Sequence, residues 1–507
     1  MDRNERRRRQ RRNSLIIKCV ILVALVVALI FAITFVVNMN KKKTGETASQ
    51  PASSSTVQNS AAGNNTQSPE LKVPEAEVAQ PSQTQEGQAT AAATGSREDI
   101  IAQAYKMSVQ YDYEGAAALL KSIANYENDA EVISLLADIE TQRSNLVGIS
   151  PYDVTHIFFH SLVVDPTRAF SVTGDPGWDS GTAGFCQWMT TLDEFNAIMQ
   201  QMYDRGYVLV SINDLIEKTV DENGYVHITP KTIYLPQGKT PFVLSEDDLS
   251  YYHSYDNRGC ASKMIVGEDG TPTCEYIDAN GQVYYGSYDV VPALDDFVDA
   301  HPDFSYKGAK GTIAFTGYNG IFGYRTDYCY RDRVELTADQ EAWLNSHPDF
   351  NWDNECAQAR AVADCVRADG WTFASHTWGH VRVGDVDMER IRTDTDKWLT
   401  YVKSLLGECD IIIFAHGQDL AAWNEDYASS EKFQYFKSVG FNIFCNVDSV
   451  QYFVQIEDGF LRMGRRNVDG YRLWQAVYGG DDKISDLVDA ASVIDPLRPT
   501  DPSLYEL

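Results

Sequence analysis

Two imidazoles four residues apart stand in Phe373-Ala374-Ser375-His376-Thr377-Trp378-Gly379-His380, and a doubled carboxylate closes Phe242-Val243-Leu244-Ser245-Glu246-Asp247-Asp248. Each group follows an apolar, strand-like run, which places it where a buried strand opens into a site. Two histidine nitrogens and a carboxylate oxygen from another strand end can converge on one divalent ion. Such a set leaves one coordination position open for water.

The elements that must position these groups are legible as a series. Val154–Phe159 ends at His160, Tyr207–Val210 at Ser211, and Phe242–Leu244 at Ser245 to Asp248. Thr312–Phe315 ends at Thr316-Gly317-Tyr318, Trp371–Ala374 at Ser375 to His380, Ile411–Phe414 at His416, and Phe441–Cys445 at Asn446 and Asp448. Strands that alternate with amphipathic stretches and deliver polar groups at their carboxyl ends predict an α/β fold with a parallel barrel. Thr190-Thr191-Leu192-Asp193-Glu194 has the capping pattern of a helix start, and Gly206 closes that helix. Between Tyr251 and Tyr288 the turns Glu268-Asp269-Gly270 and Asp278-Ala279-Asn280-Gly281 predict hairpins, an insertion over 251–288 beside the doubled Asp. His-Pro-Asp-Phe occurs at His301 and at His347, each reading as a helix stop.

Taken together and in this order, the two motifs resemble the metal triad of the polysaccharide deacetylase (NodB homology) family. Its first motif reads Thr-Phe-Asp-Asp-Gly and its second His-Ser/Thr-x-x-His. Here the first is Ser245-Glu246-Asp247-Asp248-Leu249, which keeps both Asp residues and changes their neighbours, while the second matches in full. The opening His160-Ser161-Leu162, through Leu192 to Tyr207–Ser211, is similar as well, so the likeness spans roughly 154–450. The resemblance implies a distorted (β/α)7 barrel and a Zn²⁺ ion on Asp248, His376 and His380, with Asp247 as the base. The implied reaction removes N-acetyl, or O-acetyl, groups from a cell-wall or extracellular polysaccharide.

Amide hydrolysis also needs an acid for the leaving amine. His416 and His160 both stand at strand ends and are candidates; each could equally be a hydrogen-bond partner of the metal ligands. The family's Arg-Pro motif, whose Arg orients the catalytic Asp, and its late Leu-x-x-His are absent here. The late region offers Arg462, Arg465 and Arg466 instead, either as a substitute reaching the Asp or as a solvated basic turn. For substrate contacts the expectations are Arg465, the backbone N–H groups near Tyr318 for an oxyanion, and Trp378 within the metal motif for stacking on sugar. Trp178, Trp188 and Trp423 could also stack, with core packing as the alternative.

The chain has 507 residues and a net charge of −29. Its first 43 residues carry eleven Lys or Arg against two acids, net +9, which leaves −38 on the rest. That acidity excludes a nucleic-acid partner. Cys19–Val37 is an uncharged apolar run about as long as a bilayer's hydrocarbon core is thick, and the heavier basic flank precedes it. The expected layout is a basic cytoplasmic tail over 1–18, a membrane helix over 19–38, a disordered linker over 39–95, a small tetratricopeptide-like helical segment over 96–148 and a catalytic domain over 149–507 outside the cell membrane. Eight cysteines follow the membrane run, and Cys260 with Cys274 is the expected disulfide. Two other functions compete: a catalytically degenerate glycan-binding or scaffold protein on the same barrel, and a type II glycosyltransferase, which would call for an Asp-x-Asp site instead.

Overall fold

The computed structural model describes residues 95–171, 181–421, 426–448 and 453–506. The expected basic tail, membrane helix and linker lie outside the described residues, except for Gly95. Among the described residues no helix is long and apolar enough to cross a membrane.

Seven parallel strands close a barrel. They are β1 (Thr155–His160), β2 (Thr240–Asp247), β3 (Thr312–Phe315), β4 (Thr372–Ser375), β5 (Ile411–Ile413), β6 (Ile443–Val447) and β7 (Phe460–Asn467). The ring runs β3-β4-β5-β6-β7-β1-β2 and closes where Thr312 to Ala314 pair with Ser245 to Asp247. Parallel strands buried on both faces need continuous burial, and β2 and β7 are buried along almost their whole lengths.

The count of seven agrees with expectation, but the membership does not. Tyr207–Leu209 forms a strand that pairs with the first residues of β2 and bridges to Ser305, outside the closed ring. Its place is taken by β7, whose Arg462, Arg465 and Arg466 are at most 6% exposed. The reading of these arginines as a solvated turn is therefore corrected. Each has a carboxylate from a distant element: Asp419 for Arg462, Asp247 for Arg465 and Asp486 for Arg466.

Side-chain alternation sorts the strands into two apolar layers. Ile157, Leu244, Ile313, Phe373, Ile412 and Phe444 face the outer helices. Val243, Ala314, Ala374, Ile413, Cys445 and Met463 fill the interior. That interior is continuous with the helices Arg97–Val109, Tyr113–Lys121 and Ala130–Ser144, whose Ala104, Ala116, Leu120 and Val132 belong to the same cluster. Tyr111 fastens the join by donating its hydroxyl to the Asp303 carbonyl at 2.8 Å.

The helix Leu192–Asp204 begins with the capping box Thr191/Glu194, and Gly206 beyond its end takes the left-handed φ of 83°. Both His-Pro-Asp-Phe segments follow helices, Val290–Ala300 and Ala338–Ser346. The 251–288 insertion is a three-stranded antiparallel sheet of Lys263–Val266, Pro272–Ile277 and Val283–Gly286. Cys260 and Cys274 are both free, which corrects the expected disulfide. Cys274 turns its thiol to the Tyr251 hydroxyl at 3.6 Å, while the Cys260 backbone bridges to Val163. Burial pushes both thiols up, Cys274 well above the usual thiol range.

Candidate metal and active site

At the carboxyl ends of the barrel strands lies a cavity of about 450 Å³. Its wall includes His160 from β1, Asp247 and Asp248 at the end of β2, and His376 and His380 after β4.

Asp248 leaves the strand with φ at 63°, which turns its carboxylate away from the ladder. One oxygen accepts from the Tyr252 hydroxyl at 2.7 Å, and the other lies 3.6 Å from His380 Nε2. The two histidines do not share a helix. Thr377 at φ 63° and His380 at φ 50° bend the segment into a tight loop. Asp394, on the helix Met388–Trp398, holds that loop by accepting from the N–H groups of Trp378 at 2.7 Å and Gly379 at 3.0 Å. His376 Nδ1–H donates to the Ile413 carbonyl at 2.8 Å, leaving Nε2 as a free lone pair.

One ligand atom each from Asp248, His376 and His380 can be chosen so that all three lie within 4.8 Å of one another. Two imidazole nitrogens and one carboxylate oxygen suit a divalent ion of the zinc type, with a position left for water. The electrostatics agree. Burial would raise the Asp248 carboxyl, but His380 and His376 outweigh it and hold it below the usual range. Burial lowers the His380 imidazole against the pull of Asp248, the direction that favours a lone pair able to ligate.

Asp247 is held differently. Arg465 forms a bidentate pair with it at 2.8 and 2.9 Å and reaches Ser245 Oγ at 3.0 Å. The guanidinium is fully buried, with its plane over the Phe158 ring at 4.1 Å. His156 completes this interior polar layer, its Nε2 lying 2.9 Å from Ser245 Oγ. Burial would push the Asp247 carboxyl up, but Arg465, then His376, override it and hold it well below the usual carboxylate range.

The two candidate acids differ in surroundings. His416 Nε2 lies 3.1 Å from the His380 carbonyl, with the two rings 4.2 Å apart. His160 lines the cavity with a buried Nδ1 that has no hydrogen-bond partner among the described residues. Near it stands Asp469, which accepts from Asn467 at 2.8 Å and from the Arg472 N–H at 2.9 Å. Burial raises the Asp469 carboxyl despite these donors.

Two expected substrate contacts are corrected. Trp378 is only 6% exposed and packs against Tyr328 and Tyr401, away from the cavity; Trp188 lines the wall instead. The Tyr318 N–H donates to the Trp378 carbonyl at 3.2 Å, so it holds the loop and is not free for an oxyanion. The Tyr318 ring does line the cavity, stacked on Tyr252 at 4.7 Å. Sequence reasoning passed over Tyr252, Asn467, Asp469 and Arg472. Reading Phe460–Asn467 as a strand would have put the last three at a strand end, with the other polar groups.

Compared with known protein families and with curated sequences, the chain matches none. Its structure is similar to those of two deacetylases. One is titled Streptococcus pyogenes deacetylase PplD in complex with acetate, at 12% identity and a TM-score of 0.32 over 64% of this chain and 95% of that one. The other is the putative polysaccharide deacetylase BA0330 from Bacillus anthracis, at 11% identity and a TM-score of 0.31 over 64% of this chain and 66% of that one.

Proposed function

We propose that the chain is a metal-dependent hydrolase that removes N-acetyl groups, with O-acetyl groups as the alternative, from a cell-wall or extracellular polysaccharide. One observation carries the reading: of two adjacent carboxylates, Asp248 joins His376 and His380, while Asp247 is clamped by a buried arginine beside them. A purely structural Asp-Asp pair has no need of that division.

Asp248, His376 and His380 would hold the ion, with Zn²⁺ the expected one. When bound, it supplies Lewis acidity, lowering the pKa of water and polarising the acyl carbonyl. Asp247, ionised throughout the neutral range, accepts a proton from the attacking water. Arg465 fixes the direction of that carboxylate. His160, which lines the cavity beside Asp469, donates a proton to the leaving amine nitrogen. His416, already against the His380 carbonyl, fits better as a support for that ligand.

The glycan-binding alternative rests on the absent Arg-Pro and late Leu-x-x-His motifs, and Arg465 weakens the first ground by reaching the same carboxylate from β7. Localisation rests on sequence: with 19–38 as an anchor, the linker tethers the barrel outside the membrane, within reach of an insoluble polymer.

The test pairs metal content with acetate release from N-acetylated oligosaccharides, before and after chelation. The expected result is about one divalent ion per chain and release that stops on chelation and returns with metal. Neither bound metal nor release after metal is restored would sink the hydrolase reading in favour of a binding protein.

A further inference from the structure

Arg382 follows His380 by two residues and lines the same cavity. Among the described residues no hydrogen bond or ion pair engages its guanidinium. The arginines around it are engaged: Arg465 by Asp247, Arg472 by Asn467, Arg390 by Asp394 and Arg392 by Glu431. With 72 Asp and Glu against 43 Lys and Arg, a partner for a surface guanidinium is easily found in this chain. The cavity's own carboxylates are committed inward: Asp247 to Arg465, Asp248 to Tyr252, and Asp469 to Asn467. Arg382 thus presents an exposed guanidinium with no hydrogen bond or ion pair among the described residues at the cavity wall, beside the candidate metal ligands.

A guanidinium matches carboxylate and phosphate oxygens in a bidentate fork, and a hydrogen bond to such an anion is about twice as strong as one between neutral groups. A protein this acidic repels a dense polyanion at long range. The charge at Arg382 is therefore matched to a single local anion rather than to a uniformly charged chain. We propose that Arg382 selects acetylated sugars that carry an anionic oxygen group, a carboxylate or a phosphate ester, on the same ring or the adjoining one. This rests on the deacetylase reading and names its substrate class.

The experiment compares kcat/KM of the full chain on three oligosaccharides of equal length. One is neutral N-acetylglucosamine, one alternates with N-acetylmuramic acid, and one carries a 6-phosphate. Wild type is expected to favour one acidic substrate over the neutral one by about tenfold, and which one it favours identifies the anion. The acidic-to-neutral ratio should fall toward one in Arg382→Gln, recover in part in Arg382→Lys, and shrink with added salt. Acetate released with equal efficiency from all three, or a ratio untouched by Arg382→Gln, overturns the inference alone. Release from none of them overturns the hydrolase reading and this inference with it.

Discussion

Arg465 and Asp247 are 218 residues apart in sequence and share two charge-assisted hydrogen bonds inside the barrel. Removing one partner of a buried pair leaves the other charge uncompensated, typically at about 3–5 kcal/mol. The sign of the pH effect follows from the depressed Asp247 carboxyl. In the unfolded chain it titrates near the ordinary value of about 3.9; in the folded chain it titrates lower. Its stabilising contribution is present above that ordinary value and is lost as pH falls toward the folded one. Arg465→Gln takes away the main opposing influence and leaves burial to raise the carboxyl. We expect the variant to unfold at lower denaturant concentration and the acid limb of its kcat/KM profile to move to higher pH. A limb that stays in place would mean that Asp247 is not the base whose ionisation the rate requires.

The loop after β4 shows how an element sets the geometry of its ligands. Thr377 and His380 both adopt left-handed φ, a conformation that costs a non-glycine residue about 1–3 kcal/mol unless the surroundings impose it. Asp394 imposes it from the neighbouring helix through two backbone N–H groups. Asp394→Ala should loosen the loop and weaken metal affinity by about 10–100-fold, read by chelator competition and independent of turnover. Unchanged affinity would place the control of the loop elsewhere. Much of this was legible in sequence, because strands β1 to β6 are short apolar runs ending in polar groups, and the His-x3-His spacing survives any loop shape. β7 was not. Its strand alternates Leu461, Met463 and Arg465 inward, and its three arginines raise its polarity to that of a turn. Only their partners Asp419, Asp247 and Asp486, respectively 43, 218 and 20 residues away along the chain, make their burial tolerable. The motif tryptophan misled for a related reason: hydropathy does not distinguish a ring that faces a cavity from one that faces a helix.

At the scale of the whole molecule, the helical segment and the barrel share one apolar cluster. The described residues fall in a single compact unit, and Leu120 and Val132 share their apolar cluster with Val243, Ala314 and Ile413 of the barrel interior. A parallel barrel open at its amino-terminal end would expose those interior side chains, and the apolar cluster to which the helices belong covers them. Leu120 is 1% exposed, and Leu120→Ala should cost about 2–5 kcal/mol through lost burial and the cavity left behind. If helices and barrel share one core, that loss lowers a single unfolding transition, followed alike by helical circular dichroism and by the aromatic signal of the barrel tryptophans. The candidate metal ligands, at the opposite ends of the strands, keep their geometry, so metal stoichiometry at low temperature should not change. Two separate transitions, with only the minor one moved by the substitution, would show that the helices fold independently and that the barrel closes its interior without them.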